Sequence, residues 1–264
     1  MHFWKAHAYG NDFLYARFAD VRHDDPAALA RHMCARTTGI GADGLMLFEP
    51  VAGGARMRLH NADGSIAEVS GNGVRGLAAL LAAEQGSPVG TTFVIHTDAG
   101  DKILDLTSHD ERGRPVFRAA MGRPEDLRQQ QITVDGDVLP LVTLWMGNPQ
   151  AVWLVDVLDS RTMLRVGAAL QQHAAFPDAV NFELAHVVSP DEVEILIYER
   201  GVGPTHSSGT GSCAAAVAAA AFGGAARQVE VVAPGGRQHV DWRDDSVYLT
   251  GWAEVLCEGT WLTS

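Results

Sequence analysis

An α+β fold built from two similar halves is the architecture this sequence predicts. Three observations point to it. Short strand-like runs, punctuated by turn signals, are spread along all 264 residues. Helical stretches are few and do not alternate strictly with strands, which argues against a doubly wound parallel sheet. One motif, Ser-Gly-x-Gly followed by an apolar helix, occurs twice about half a chain apart, at Ser70 and at Ser208.

The strand-like runs include residues 57–60, 92–96, 139–145, 151–155, 193–198, 229–233 and 246–250. Turns are expected at Ala62-Asp63-Gly64-Ser65, Asp135-Gly136 and Pro234-Gly235-Gly236. Pro26–Cys34 reads as a surface helix outside both repeated turns. Residues 163–173 also read as a helix, with Leu164, Ala168 and Leu170 as its apolar positions. In the repeat, Ser70-Gly71-Asn72-Gly73-Val74-Arg75-Gly76 leads into a Leu/Ala run, and Ser208-Gly209-Thr210-Gly211-Ser212-Cys213 leads into a run of alanines. A helix apolar nearly all round belongs in a core, and each Ser is an expected N-cap. Each half is therefore read as a sheet wrapped around one buried helix. The halves are residues 1–112 with 252–264, and residues 113–251.

Composition narrows the function. The 20 basic and 32 acidic residues give a net charge of -12, which argues against a nucleic-acid or anionic-membrane partner. Hydrophobic residues at 47% supply a sizeable core. No apolar run reaches the roughly 18 residues of a membrane span, and the first residues lack a signal-peptide pattern. Cys34, Cys213 and Cys257 are odd in number and far apart, against a disulfide framework or a zinc cluster. A cytoplasmic enzyme or binding protein without a metal fits these facts.

Gly71-x-Gly73-x-x-Gly76 matches the dinucleotide fingerprint, but a lone match is weak. The acidic residue about 20 positions on should end a strand, whereas Asp98 falls in a turn-like Thr97-Asp98-Ala99-Gly100. Bare backbone N–H groups at a helix start bind a carboxylate as well as a phosphate. Simple capping explains the Ser and one Gly; two Gly per turn in both copies fit close approach to a ligand better. Elsewhere stand Gly10-Asn11-Asp12-Phe13, Gly39-Ile40-Gly41-Ala42-Asp43-Gly44, Asn61-Ala62-Asp63-Gly64-Ser65, Met146-Gly147-Asn148-Pro149 and Glu199-Arg200-Gly201-Val202-Gly203. Each alone is a turn.

As a set, in this order and spacing, these blocks resemble the diaminopimelate epimerase family over nearly the whole chain. The resemblance implies two similar halves, each a curled mixed sheet around a central helix, with the site in the cleft between them. It implies cofactor-free 1,1-proton transfer on a dicarboxylic amino acid, LL- to meso-diaminopimelate, a precursor of lysine and peptidoglycan. It also allows a homodimer. One thiolate at each central helix start would face one side of the substrate α-carbon. Substrate contacts carry over to Asn11, Asn61, Asn148, Asn181, Glu199 and Arg200. Backbone N–H groups of Gly71, Asn72, Gly209 and Thr210 would take the carboxylate beside the α-carbon. Arg200 would hold the distal one.

The chain departs from the family pattern at five positions. The two catalytic Cys positions are Ser70 and Ser208, the His after Gly-Asn-Pro is Gln150, the Glu of Gly-Glu-Thr is Pro204, and a Cys after the first helix-start Arg is Gly76. Together these fit natural divergence better than exchange of two thiols alone. A hydroxyl is a far weaker acid than a thiol and needs a base beside it. An epimerase, a non-catalytic amino-acid-binding paralogue, and an isomerase or dehydratase of another small carboxylic acid all remain open on this reading.

Overall fold

The computed structural model describes residues 1–21 and 25–262. The chain divides into two units, Met1–Ala119 with Gly251–Ser264, and Ala120–Thr250.

In the first unit the strands pair in the order Glu254–Thr260, His2–Ala8, Asn11–Arg17, Gly44–Val51, Gly54–Asn61, Thr92–Thr97, Gly100–His109 and Pro115–Ala120. Asn11–Arg17 runs parallel to Gly44–Val51, and Gly54–Asn61 to Thr92–Thr97. The other neighbours are antiparallel, and the two-residue strand Ile66–Ala67 hangs on Gly54–Asn61. Helix α1, Pro26–Cys34, starts on the Asp25 cap with Pro at its first position. Helix α2, Gly71–Gln85, ends on Gly86, whose φ of 60° gives the left-handed cap. Strands from across the sheet touch α2, so the sheet curls around it. Leu77, Leu80 and Leu81 of α2 pack among Trp4, Tyr15, Phe48, Phe93 and Phe117. Each such Leu contributes about 1.5–3 kcal/mol by leaving water. On the sheet's other face α1 sets Leu29, Met33 and Cys34 against Leu14, Leu45 and Leu47.

The second unit repeats this plan. Its order is Glu125–Val134, Asp137–Trp145, Pro149–Leu154, Asn181–Ser189, Glu192–Glu199, Gln228–Ala233, Gly236–Trp242 and Val247–Trp252. Pro149–Leu154 is parallel to Asn181–Ser189, and Glu192–Glu199 to Gln228–Ala233; the others are antiparallel. A short strand, Gly203–Thr205, hangs on Glu192–Glu199. Helix α3, Ser160–Leu170, covers the outer face through Met163, Val166 and Leu170. Helix α4, Gly209–Phe222, fills the curl, with Ala214–Ala219 packed against Val142, Ile195, Val231 and Val240. The two units match strand for strand and pairing for pairing. Register makes Phe13 the counterpart of Gln150, Met46 of Glu183, and Asn61 of Glu199.

Three sequence expectations need correction. Residues 163–173 do not form the second helix: it starts at Ser160, because the Asp159 carboxylate caps it through Thr162 N–H at 2.8 Å. Its buried face is Met163, Val166, Gly167 and Leu170, while Leu164 is 43% exposed. Cys34, expected in a surface helix, is 2% exposed, because it lies on the face of α1 that meets the sheet.

Candidate functional site

Both repeated serines are N-caps. Ser70 has extended φ and ψ, and its Oγ accepts from Gly73 N–H at 3.1 Å. Ser208 does the same with Gly211 N–H at 3.2 Å. Helix geometry leaves the first-turn N–H groups outside the helix's own ladder, and the helix dipole favours an anion there. Gly73 and Gly211 are small for a local reason. A Cβ on Gly73 would lie 2.8 Å from Met46 Cε, and one on Gly211 would fall on Glu183 Oε1. Each helix start is thereby pressed onto its sheet.

In the first unit Asn11 and Asn72 are joined. Asn72 Nδ2 donates to Asn11 Oδ1 at 3.3 Å, and Arg75 donates to Asn72 Oδ1 at 3.2 Å. Asn11 Nδ2 in turn donates to Asp43 at 2.6 Å. Asp43 belongs to a charged cluster in which Arg36 donates to both Asp43 and Asp12 at 2.8 Å and Lys5 reaches Asp12 at 2.9 Å. Burial pushes the Asp12 carboxyl up, but the bonds from Arg36 and Lys5 outweigh it and hold it below the usual carboxylate range. Asn61 instead donates to Ser65 of its own turn at 3.0 Å.

The second unit gathers more of the named residues. Asn148 Nδ2 donates to Thr210 Oγ1 at 3.4 Å, and Gln150 Nε2 to Asn148 Oδ1 at 2.5 Å. Asn181 donates to the Pro149 carbonyl at 3.1 Å and accepts from Arg200 N–H at 3.0 Å. Glu199 accepts from the Thr205 hydroxyl at 2.6 Å. The Arg200 side chain is exposed, donates to the Asp178 carbonyl at 3.3 Å, and lines an open groove with Gln171, Tyr198 and Gly203.

The three thiols lie away from both caps. Cys34 is buried in α1, where burial and the charges of Asp12 and Asp43 push its thiol up to about 12. Cys213 is wholly buried in α4, and Cys257 is exposed on the strand Glu254–Thr260. His206 is exposed. Gly76 has a clear cause: a Cβ there would overlap the Tyr15 hydroxyl, which donates to the Gly73 carbonyl at 2.9 Å.

Sequence reasoning missed Tyr15 and Glu183, and gave Asp43 no role beyond its turn. For Glu183 a signal existed, an acid between Phe182 and Leu184 in an otherwise apolar run. It is 0% exposed. Burial, then the nearby Glu199 charge, pushes its carboxyl well above the usual range.

Comparison with known proteins agrees with this frame. The diaminopimelate epimerase family model matches residues 3–126 and 142–256. A diaminopimelate epimerase of Desulforudis audaxviator is 39% identical over 99% of both chains. The chain belongs to the diaminopimelate epimerase family. A second member, from Xylella fastidiosa strain M23, is 37% identical over 99% of this chain and 96% of its own. Solved structures share the fold at low identity. A PhzF-family phenazine biosynthesis protein of Bacillus anthracis has a TM-score of 0.75 at 14% identity, covering 100% of this chain and 99% of its own. A hydroxyproline epimerase of Agrobacterium vitis, solved with trans-4-hydroxy-L-proline, has a TM-score of 0.74 at 16% identity, covering 98% and 91%. Within the diaminopimelate epimerase family, then, this chain carries hydroxyls at both helix caps.

Proposed function

We propose that the chain binds a dicarboxylic amino acid of the diaminopimelate type, its carboxylate taken by the bare N–H groups of a capped helix start. Family membership supports the ligand class. The retained caps, the glycine-lined first turns and the ordered Asn11, Asn72, Asn148 and Thr210 side chains support the binding role. Ser70 and Ser208 occupy the acid–base positions of the family's two-base proton transfer. Such transfer needs groups whose proton affinities lie near neutrality. A serine hydroxyl lies far from it, and each of these already accepts a backbone N–H. That is the observation that carries the reading: the site holds its ligand and moves the α-proton poorly. Arg200 contacts the distal carboxylate from an exposed position.

The test is titration calorimetry with LL- and meso-diaminopimelate, together with deuterium wash-in from heavy water. Micromolar to millimolar binding with negligible exchange is expected. Rapid exchange that survives a thiol-blocking reagent would refute the holding role and point to a hydroxyl or water shuttle.

A further inference from the structure

The strongest unassigned feature is the polar pair beneath the start of α4. Glu183 Oε1 lies where a Cβ on Gly211 would fall, and that same Cβ would be 3.1 Å from Ser208 Cβ. The carboxyl and the capping serine thus flank one Cα. In the first unit the matching places hold Met46 and Phe13, with Met46 Cε under Gly73 and beside Ser70 Cβ in the same manner. The fold therefore fills this slot with an uncharged side chain as readily as with an acid. The polar pair belongs to what the second unit does rather than to how it folds.

Its hydrogen bonds form a chain. Gln150, 1% exposed, has one amide end 2.5 Å from Asn148 Oδ1 and 3.1 Å from Thr210 Oγ1. Its other end is 3.2 Å from both Glu183 oxygens. Two proton arrangements satisfy these contacts. With an ionised Glu183 the amide nitrogen must face the acid; Asn148 must then turn its own amide nitrogen toward Gln150 Oε1, and the Thr210 hydroxyl proton is spent inward on the amide oxygens. With a neutral Glu183 the acid donates to Gln150 Oε1, the amide nitrogen serves Asn148, and Asn148 serves Thr210. The Thr210 proton is then left pointing away from the chain.

We infer that Glu183 is a neutral carboxylic acid that positions Gln150, and through it Asn148 and Thr210, so that the Thr210 hydroxyl is a donor toward a bound carboxylate. Complete burial, with no partner cation for it among the described residues, favours the neutral form, since an isolated buried charge is costly. Glu199 adds like charge nearby, and the carboxyl's upward displacement agrees. A carboxylate ligand only accepts, so an outward Thr210 O–H together with the first-turn N–H groups matches it. This ligand side rests on the function proposed above; the state of Glu183 does not.

Isotope-edited infrared spectroscopy at neutral pH tests the acid directly. A protonated-carboxyl band is expected in the wild type and is expected to vanish in Glu183→Gln; no such band in the wild type overturns the inference. Positioning is read by side-chain amide NMR of Asn148 and Gln150. Glu183→Gln, whose own N–H can donate to Gln150, keeps both signals. Glu183→Met, which copies the first unit, shifts or broadens them, and unchanged signals in that variant overturn the inference. Calorimetry with diaminopimelate should give affinity within about threefold for Glu183→Gln and about tenfold weaker for Glu183→Met. If the wild type does not bind diaminopimelate, the proposed function fails while the infrared and NMR results still decide the role of Glu183.

Discussion

At the scale of single residues, one departure from the family pattern comes with its physical partner. Tyr15 is wholly buried and its hydroxyl occupies the volume a side chain at position 76 would need. Gly76→Cys should therefore cost about 1–3 kcal/mol by overpacking, and Tyr15→Phe in the same chain should recover part of it. Urea midpoints at constant slope measure both. Arg200 calls for a smaller figure. Its side chain is exposed, so Arg200→Ala should weaken diaminopimelate binding by about 1–2 kcal/mol, less than a desolvated clamp would lose. Unchanged calorimetric affinity in a folded variant would remove Arg200 from the site. The sequence made Arg200 visible because it sits in a glycine-rich turn. It left Glu183 unnoticed and gave Asp43 no role beyond its turn, because their roles come from strand register and from a neighbour 32 residues away in the chain.

At the scale of elements, α2 and α4 were legible because three local signals agree in each: a capping Ser, paired glycines, and an apolar run too long for a turn. Helix α3 was read three residues late because its Asp159 cap precedes the apolar positions and Leu164 points to solvent. Cap chemistry sets a cost on restoring thiols. Sulfur is a poor acceptor, so Ser70→Cys and Ser208→Cys should each lose about 1 kcal/mol of stability, as capping substitutions do. The double variant should nevertheless gain α-proton exchange, since helix N-termini favour thiolate. Recovery should stay partial because Gln150 cannot take the thiol proton. Chemical denaturation and deuterium wash-in on both diastereomers check the two effects, and full activity would show that position 150 does not matter.

At the scale of the whole molecule, two carboxyls, Asp12 in one unit and Glu183 in the other, carry opposite pH dependences. The Asp12 carboxyl is held down by Arg36 and Lys5, so its stabilisation is complete above the unfolded carboxylate value and is lost on acidification through the folded one. Glu183 is pushed up, so its burial costs least when it is protonated. Stability falls as pH rises from the unfolded value toward the folded one. Asp12→Asn should flatten the acid limb of the stability curve, and Glu183→Gln should flatten the decline that sets in as pH rises above the unfolded carboxylate value. Denaturation midpoints across pH measure both; a wild-type slope retained in either variant would assign that limb to other groups. The α+β class and the repeat were readable from the sequence. The pairing order was not, because parallel neighbours such as Gly54–Asn61 and Thr92–Thr97 are fixed by contacts across the chain rather than by local pattern.

The first strand of the second unit's sheet, Glu125–Val134, precedes its neighbour directly in the chain. Its counterpart in the first unit, Glu254–Thr260, comes from the far end, and the Met1 amino group donates to the Trp261 carbonyl beside it at 3.0 Å. Synthesis from the N-terminus therefore delivers the second unit whole before the first can close. A nascent chain exposed only as far as Trp252 has every strand of one sheet and a missing edge on the other, with His2–Ala8 paired on one side only. Its unpaired backbone is the surface a chaperone would meet first.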